Sequence, residues 1–276
     1  MVRVPEGDTL HRVARALGAA MIGKRVDAFA SPLPSLARAA LEGTRIEAIE
    51  AHGKNLLICF DDGRALHTHL QMKGSWHLYR RGEPWQLRTS AARVTIEAEG
   101  VVAVCFLAPT VRLIRHRPRA AFGADASAPM VRDAVLTDER LHRLGPDILG
   151  EELDLVGVRA RLRALGELPI GEAIMMQSAL AGVGNIWKSE SLFAARVDPF
   201  ALVSELDDAT LDRVVQEARR LMKASVARHA TGGRARRLVY RRSGRSCLVC
   251  GATILMRRQG AAARSTYYCA ACQRRA

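Results

Sequence analysis

Four cysteines near the C-terminal end constrain this chain more than any other feature. They read Cys247-x2-Cys250 and, eighteen residues on, Cys269-x2-Cys272. Tetrahedral zinc takes four thiolates, and two tight Cys-x2-Cys knuckles joined by a hairpin supply them, so a single structural Zn2+ in a zinc ribbon is expected. Disulfides are the competing use. The opening Met-Val-Arg-Val-Pro-Glu-Gly-Asp turns acidic where a secretory signal needs its apolar stretch, so a reducing cytoplasm is expected and zinc is favoured. Cys59 and Cys105 lie inside apolar strand patterns and read as buried core thiols.

Charge is segregated. The formal net charge is +14, yet residues 218–276 hold 15 of the 42 Lys and Arg and no Asp or Glu. That leaves 27 basic against 28 acidic residues in 1–217, so the excess sits in the last fifth of the chain. A basic face of this kind suits a polyanion, with nucleic acid first. The plainer alternative is a solvated arginine-rich tail. A membrane partner is not expected, because the longest apolar run, 101–108, stops at Pro109 after eight residues.

Periodicity divides the chain into zones. Asp8 can cap a helix whose apolar positions Leu10, Val13, Ala14, Leu17 and Met21 recur at helical spacing. From Lys24 to about Leu113 short strands follow, among them 45–51, 55–60, 92–98 and 101–107, the last two joined at Glu99-Gly100. These predict one helix followed by a two-sheet β-sandwich. A linker rich in Ala, Arg and Pro covers 115–130, and helices are expected near 137–143, 154–165, 171–179, 186–195 and 207–228. A basic loop spans 229–246, and no internal repeat is visible. Between two helices, Leu180-Ala181-Gly182-Val183-Gly184-Asn185 makes a turn with Asn185 placed as an N-cap. Exposed helix N–H groups after such a turn can hold a phosphate, although any antiparallel helix pair needs a turn.

Pro5-Glu6-Gly7-Asp8-Thr9, His52-Gly53-Lys54, the 180–185 turn and the terminal cysteine hairpin occur in the order seen in Fpg/Nei DNA glycosylases. The chain resembles that family over nearly its whole length, including an arginine, Arg264, five residues before the third cysteine. Pro-Glu-Gly is similar to the endonuclease VIII (Nei) branch in its actinobacterial form. The resemblance implies an α+β multidomain fold in three parts. These are an N-terminal helix with β-sandwich (1–130), a helix–two-turn–helix domain (131–243) and a zinc finger (244–276), with damaged DNA in the cleft between. It also implies a bifunctional DNA glycosylase and AP lyase of base excision repair, acting as a monomer on DNA of the cytoplasmic nucleoid. Oxidised pyrimidines are the expected substrates and oxidised purines the alternative.

The family's roles map onto residues whose chemistry suits them. Pro5 as an N-terminal secondary amine would attack C1′ and form a Schiff base, and Glu6 would protonate the sugar ring oxygen and shuttle protons. An ordinary helix lead-in is the alternative for this pair. Lys54 is one of five lysines among 37 arginines. Unlike arginine, a lysine can lose its proton when desolvated, which favours a role at the target sugar over a solvated strand edge. Arg264 would reach the flipped nucleotide's phosphates and assist δ-elimination, or serve as a generic phosphate contact. His69-Leu70-Gln71-Met72-Lys73-Gly74 matches the wedge loop that fills the void left by a flipped base. That assigns Gln71, Met72 and Lys73 to DNA, unless Met72 is a core residue, and Arg143 and Asn185 match further DNA-contacting positions. Met175-Met176-Gln177 departs from the acidic residue the family often carries there.

Pro5 itself follows Val4, and a proline inside a chain has an amide nitrogen that is neither basic nor nucleophilic. The expectation is translation from a GUG codon at Val4, which would leave Pro5 exposed. Otherwise the protein is a non-catalytic, zinc-dependent binder of damaged DNA.

Overall fold

The computed structural model describes residues 5–115, 138–230, 233 and 236–274. They form two compact units, one of Pro5 with Thr9–Arg143 and the other of Glu6–Asp8 with Leu144–Ala276. The expected linker lies, from residue 116 on, outside the described residues.

In the first unit the helix α1 spans Gly7–Met21. Leu10, Leu17 and Met21 are at most 1% exposed, the single face that their spacing predicts. The strands are β1 (Val26–Ala30), β2 (Ile46–His52), β3 (Asn55–Phe60), β4 (Arg64–His69), β5 (Ser75–Arg80), β6 (Ala92–Ala98), β7 (Val101–Phe106) and β8 (Thr110–Arg115). They make two four-stranded antiparallel sheets, β1-β6-β7-β5 and β2-β3-β4-β8. Leu56, Ile58, Phe60 and Leu66 of one sheet join Val94, Ile96, Ala103 and Cys105 of the other in one apolar core with α1. This is the sandwich that the alternating pattern predicts. Strand β6 buries every second residue. The β6–β7 hairpin turns at Glu99 (φ 47°) and Gly100 (φ 80°), both in the left-handed region that a two-residue hairpin turn of this twist demands. Cys59 and Cys105 are fully buried, and burial pushes the Cys105 thiol up. A short helix, α2 (Glu139–His142), is capped by Asp138, which accepts from the backbone N–H groups of Arg140 and Leu141.

The second unit contains α3 (Leu155–Arg163), α4 (Ile170–Ala173), α5 (Asn185–Ala194), α6 (Asp208–Ala230) and the antiparallel hairpin β9 (Leu255–Gln259) with β10 (Arg264–Tyr268). Its core gathers Ile170, Ile174, Trp187, Leu192, Leu211, Val214 and Met222. Two expectations are corrected. The helix expected over 171–179 ends at Ala173, because the Gln177 side chain takes up backbone groups. Its amide donates to Met175 O (2.8 Å) and Val183 O (3.0 Å) and accepts from Gly182 N (3.0 Å). Asp8 lies inside the first turn of α1 rather than capping it. Its carboxylate accepts from the Trp187 indole N–H (3.0 Å) and the Ser225 hydroxyl (2.7 Å).

Candidate functional site

In the second unit the site is built around Glu6, which is 2% exposed. Its carboxylate accepts from Ile186 N (2.8 Å) and Trp187 N (3.3 Å), the first turn of α5. The backbone closes on the same place, with Gly7 N donating to Gly182 O at 3.0 Å. A Cβ on Gly184 would lie 2.3 Å from Glu6 Cδ, so only glycine fits there. Glycines in this turn therefore admit a carboxylate to the helix N-terminus, where free N–H groups and the helix dipole favour an anion. Two of the N–H groups expected to be open to a phosphate at this turn hold the protein's own Glu6.

The N-cap reading of Asn185 is corrected. Gly184 is the N-cap and Asn185 the first helical residue. The Asn185 side-chain amide instead donates to Ser265 O (2.8 Å) on β10, and its Oδ1 is buried with no partner. Lys188, one helical turn on, is fully buried. Its ammonium donates to Thr266 Oγ1 (2.7 Å) and Ser265 O (3.4 Å). The Thr266 hydroxyl in turn donates to Gln259 Oε1 (2.8 Å), and Gln259 Nε2 donates to Pro199 O (2.9 Å). Asn185 and Lys188 thus fasten β10 beside Arg264, which is itself exposed.

Burial lowers the Lys188 pKa to about 8, helped by Arg264 and opposed by Glu172 and Glu6. Between about 8 and its ordinary value the unfolded chain binds the proton that the folded chain has lost, so the contribution to stability rises with pH across that window. Lys188→Met should therefore abolish a rise in folding stability between pH 8 and 10, measured by denaturant unfolding at fixed ionic strength. An identical pH profile in the variant would contradict this placement.

The four hairpin cysteines lie together, their Sγ atoms all within 4.8 Å of one another. The Cys247–Cys272 and Cys250–Cys269 sulfurs are 3.9 and 3.5 Å apart, too far for disulfides. Ligands about 2.3 Å from a tetrahedral zinc would stand roughly 3.8 Å apart, so the four residues fit a metal ion.

The first unit brings together a second group. Strands β2 and β3 pair His52 with Asn55, leaving Gly53 and Lys54 as a two-residue turn with Gly53 at φ 59°. Asn55 pairs with His69 on β4. Burial lowers the His69 pKa, and the Lys54 charge lowers it further. His69 Nδ1 accepts from Gln71 N (3.3 Å), and Gln71 has φ 47°. Met72 is 56% exposed, which removes the core reading of that side chain, and Gln71 and Lys73 are exposed beside it. Arg143 is exposed at the C-cap of α2, and Pro5 is buried immediately before α1.

Sequence reasoning passed over Lys188 and Glu190. The rarity of lysine, which singled out Lys54, applies equally to Lys188. Glu190 accepts from the backbone N–H groups of Leu238 (2.9 Å), Val239 (3.0 Å) and Tyr240 (2.8 Å), ordering the chain before the first knuckle. No local pattern announces that partner.

Comparison with known proteins follows the same division. The formamidopyrimidine-DNA glycosylase N-terminal domain matches residues 4–109, and that enzyme's H2TH domain matches residues 144–236. A probable endonuclease 8 2 of Streptomyces coelicolor is 31% identical over 98% of this chain and 94% of its own. A DNA-(apurinic or apyrimidinic site) lyase Nei2 of Mycolicibacterium smegmatis is 30% identical over 98% of this chain and 99% of its own. Among solved structures, a complex of Lactococcus lactis Fpg (MutM) with DNA containing N7-benzyl-Fapy-dG superposes with a TM-score of 0.79 at 22% identity. It covers 98% of this chain and 100% of that one, a likeness of fold. This is the fold of a DNA repair glycosylase. The chain belongs to the formamidopyrimidine-DNA glycosylase and endonuclease 8 family.

Proposed function

We propose that this protein is a bifunctional DNA glycosylase and AP lyase that excises oxidised pyrimidines. The observation that carries the reading is a buried carboxylate, Glu6, held by two helix N–H groups in the residue next to Pro5. An α-amino nitrogen has an ordinary pKa of about 8, so a free Pro5 would be partly neutral near pH 7. Its lone pair attacks C1′, the bond from C1′ to the base breaks, and the base leaves with the bonding pair and takes up a proton from solvent. The attacking nitrogen passes its proton to the Glu6 carboxylate, and Glu6 delivers that proton to the ring oxygen as the sugar opens, leaving an iminium between Pro5 and C1′. Loss of the C2′ proton then expels the 3′ phosphate, and a second elimination expels the 5′ phosphate. Lys54 acts at the target sugar and Arg264 on its phosphates. Gln71, Met72 and Lys73 fill the vacated stack, and Arg143 and Asn185 serve DNA contacts. Cys247, Cys250, Cys269 and Cys272 hold one Zn2+, which folds the hairpin that presents Arg264.

The choice of pyrimidines rests on Pro5-Glu6-Gly7 and on relatives named endonuclease 8. No helix among the described residues is long and apolar enough to cross a membrane.

The test uses a chain that begins at Pro5, with duplexes carrying an oxidised pyrimidine, an oxidised guanine or a preformed abasic site. The pyrimidine should be excised fastest, and faster removal of guanine would overturn the substrate assignment. Glu6→Gln should lower excision by about 10²-fold, the usual range for a lost general acid, and cleave the preformed abasic site with a smaller loss. Arg264→Ala should weaken DNA binding and accumulate the β-elimination product. Equal loss of excision and cleavage in both variants would show these roles to be misassigned.

A further inference from the structure

Four buried or half-buried polar side chains in the first unit form one directed chain of hydrogen bonds. The Asp138 carboxylate accepts from both terminal nitrogens of Arg112 (2.7 and 2.8 Å). Arg112 Nε donates to His67 Nδ1 (3.0 Å), and His67 Nε2 lies 2.9 Å from Asn55 Oδ1. Asn55 Nδ2 donates to His52 O (3.1 Å), the carbonyl that opens the Gly53-Lys54 turn. Arg112 has no acceptor, so His67 Nδ1 must accept and Nε2 must carry the proton. That fixes the Asn55 amide with its oxygen toward His67 and its nitrogen toward the turn. Burial, with Arg112 adding to it, pulls the His67 pKa down to about 3, partly offset by Asp138. The ring therefore stays neutral, in one tautomer, throughout the physiological range.

A two-residue hairpin turn needs no such support, because its backbone pairing already closes it. Here His67 is 3% exposed and Asn55 7%. Burying their polar groups contributes little net stability even when every bond is made. The geometry points to His67, with Asn55, Arg112 and Asp138, as a positioning relay that holds the Lys54 turn in its working place. It rests on the reading of Lys54 as a residue of the reaction, and it adds how that residue is aimed. Asn55 also pairs with His69, whose ring meets the backbone of Gln71, so a shift at Asn55 would reach the wedge loop as well.

The test is a double-mutant cycle on the full chain beginning at Pro5, read as the single-turnover rate of cleavage at a preformed abasic site, with DNA affinity measured alongside. His67→Leu breaks the relay. His67→Gln keeps an acceptor for Arg112 and a donor for Asn55. His67→Leu should slow cleavage about tenfold, the scale of a sub-ångström misplacement, with affinity changed less than about twofold. His67→Gln should recover most of the rate. In a Lys54→Met background, His67→Leu should change the rate by less than about twofold, because nothing is left to aim. Equal slowing in both backgrounds, or a Gln variant as slow as Leu, overturns the relay while leaving Lys54 in place. A Lys54→Met chain that cleaves at full rate removes the Lys54 reading and the relay with it. If His67→Leu does not fold, Asn55→Ala enters the same cycle in its place, with the same expected and contrary outcomes.

Discussion

Cys247→Ser or Cys272→Ser is expected to release the metal and to weaken DNA binding by at least about tenfold, equivalent to roughly 1.4 kcal/mol. The hairpin's own apolar cluster is small. Phe193, Val239 and Ile254 are its buried non-cysteine members, and Cys247 and Cys269 complete it. With so little surface to bury, the hairpin depends on its ion for most of its folding free energy. Besides Phe193 of α5, a few polar anchors tie it to the rest of the unit: Asn185 and Lys188 onto Ser265 O, and Gln273 Nε2 onto Val197 O at 2.9 Å. Those anchors need β10 in register with β9, which a metal-free hairpin has little means to keep. The helical core around Trp187, Leu192 and Leu211 does not draw on the cysteines. Helical circular dichroism should therefore persist while metal content and DNA affinity fall together. Full-strength DNA binding by a chain shown to hold no zinc would refute this dependence.

Much of this architecture was legible in the sequence where the signal is local. Helix α1 follows from Leu10, Ala14, Leu17 and Met21, and β6 from strict alternation, because burial on one face imposes a period on nearby residues. Glu99-Gly100 and the two cysteine knuckles are equally local, since a turn or a metal site dictates residue types a few positions apart. Partners distant in the chain left no such trace. Glu6 meets Ile186 and Trp187 across about 180 residues, so the anion at the 180–185 turn could be anticipated but its identity could not. Asn185 failed as a cap for the same reason. An N-cap side chain is useful when the first N–H groups are free, and here Glu6 takes two of them. The helix expected over 171–179 stopped early because Gln177 spends its amide on three backbone groups, a choice that helical periodicity does not register. The chain Asp138–Arg112–His67–Asn55 was illegible altogether. His67 is one of two histidines in β4 with no local pattern to single it out, and its role depends on register across β3, β4 and β8.

The central claim is that the Pro5 nitrogen forms the covalent link to DNA, and borohydride trapping on abasic DNA tests it most directly. In the sequence Pro5 follows Val4, and acylation of its nitrogen removes both the reactive lone pair and the titratable proton. No neighbouring charge restores either. A chain that begins at Pro5 should give a covalent adduct with abasic DNA, and one that keeps residues 1–4 should bind DNA without being trapped. Binding should survive in both and weaken with added salt, because it draws on the basic residues 218–276. Pro5→Ala with a free terminus should retain some trapping, since a primary amine still forms an imine. Equal trapping by the chain that keeps residues 1–4 would contradict the account and pass the nucleophile's role to another amine, Lys54 first.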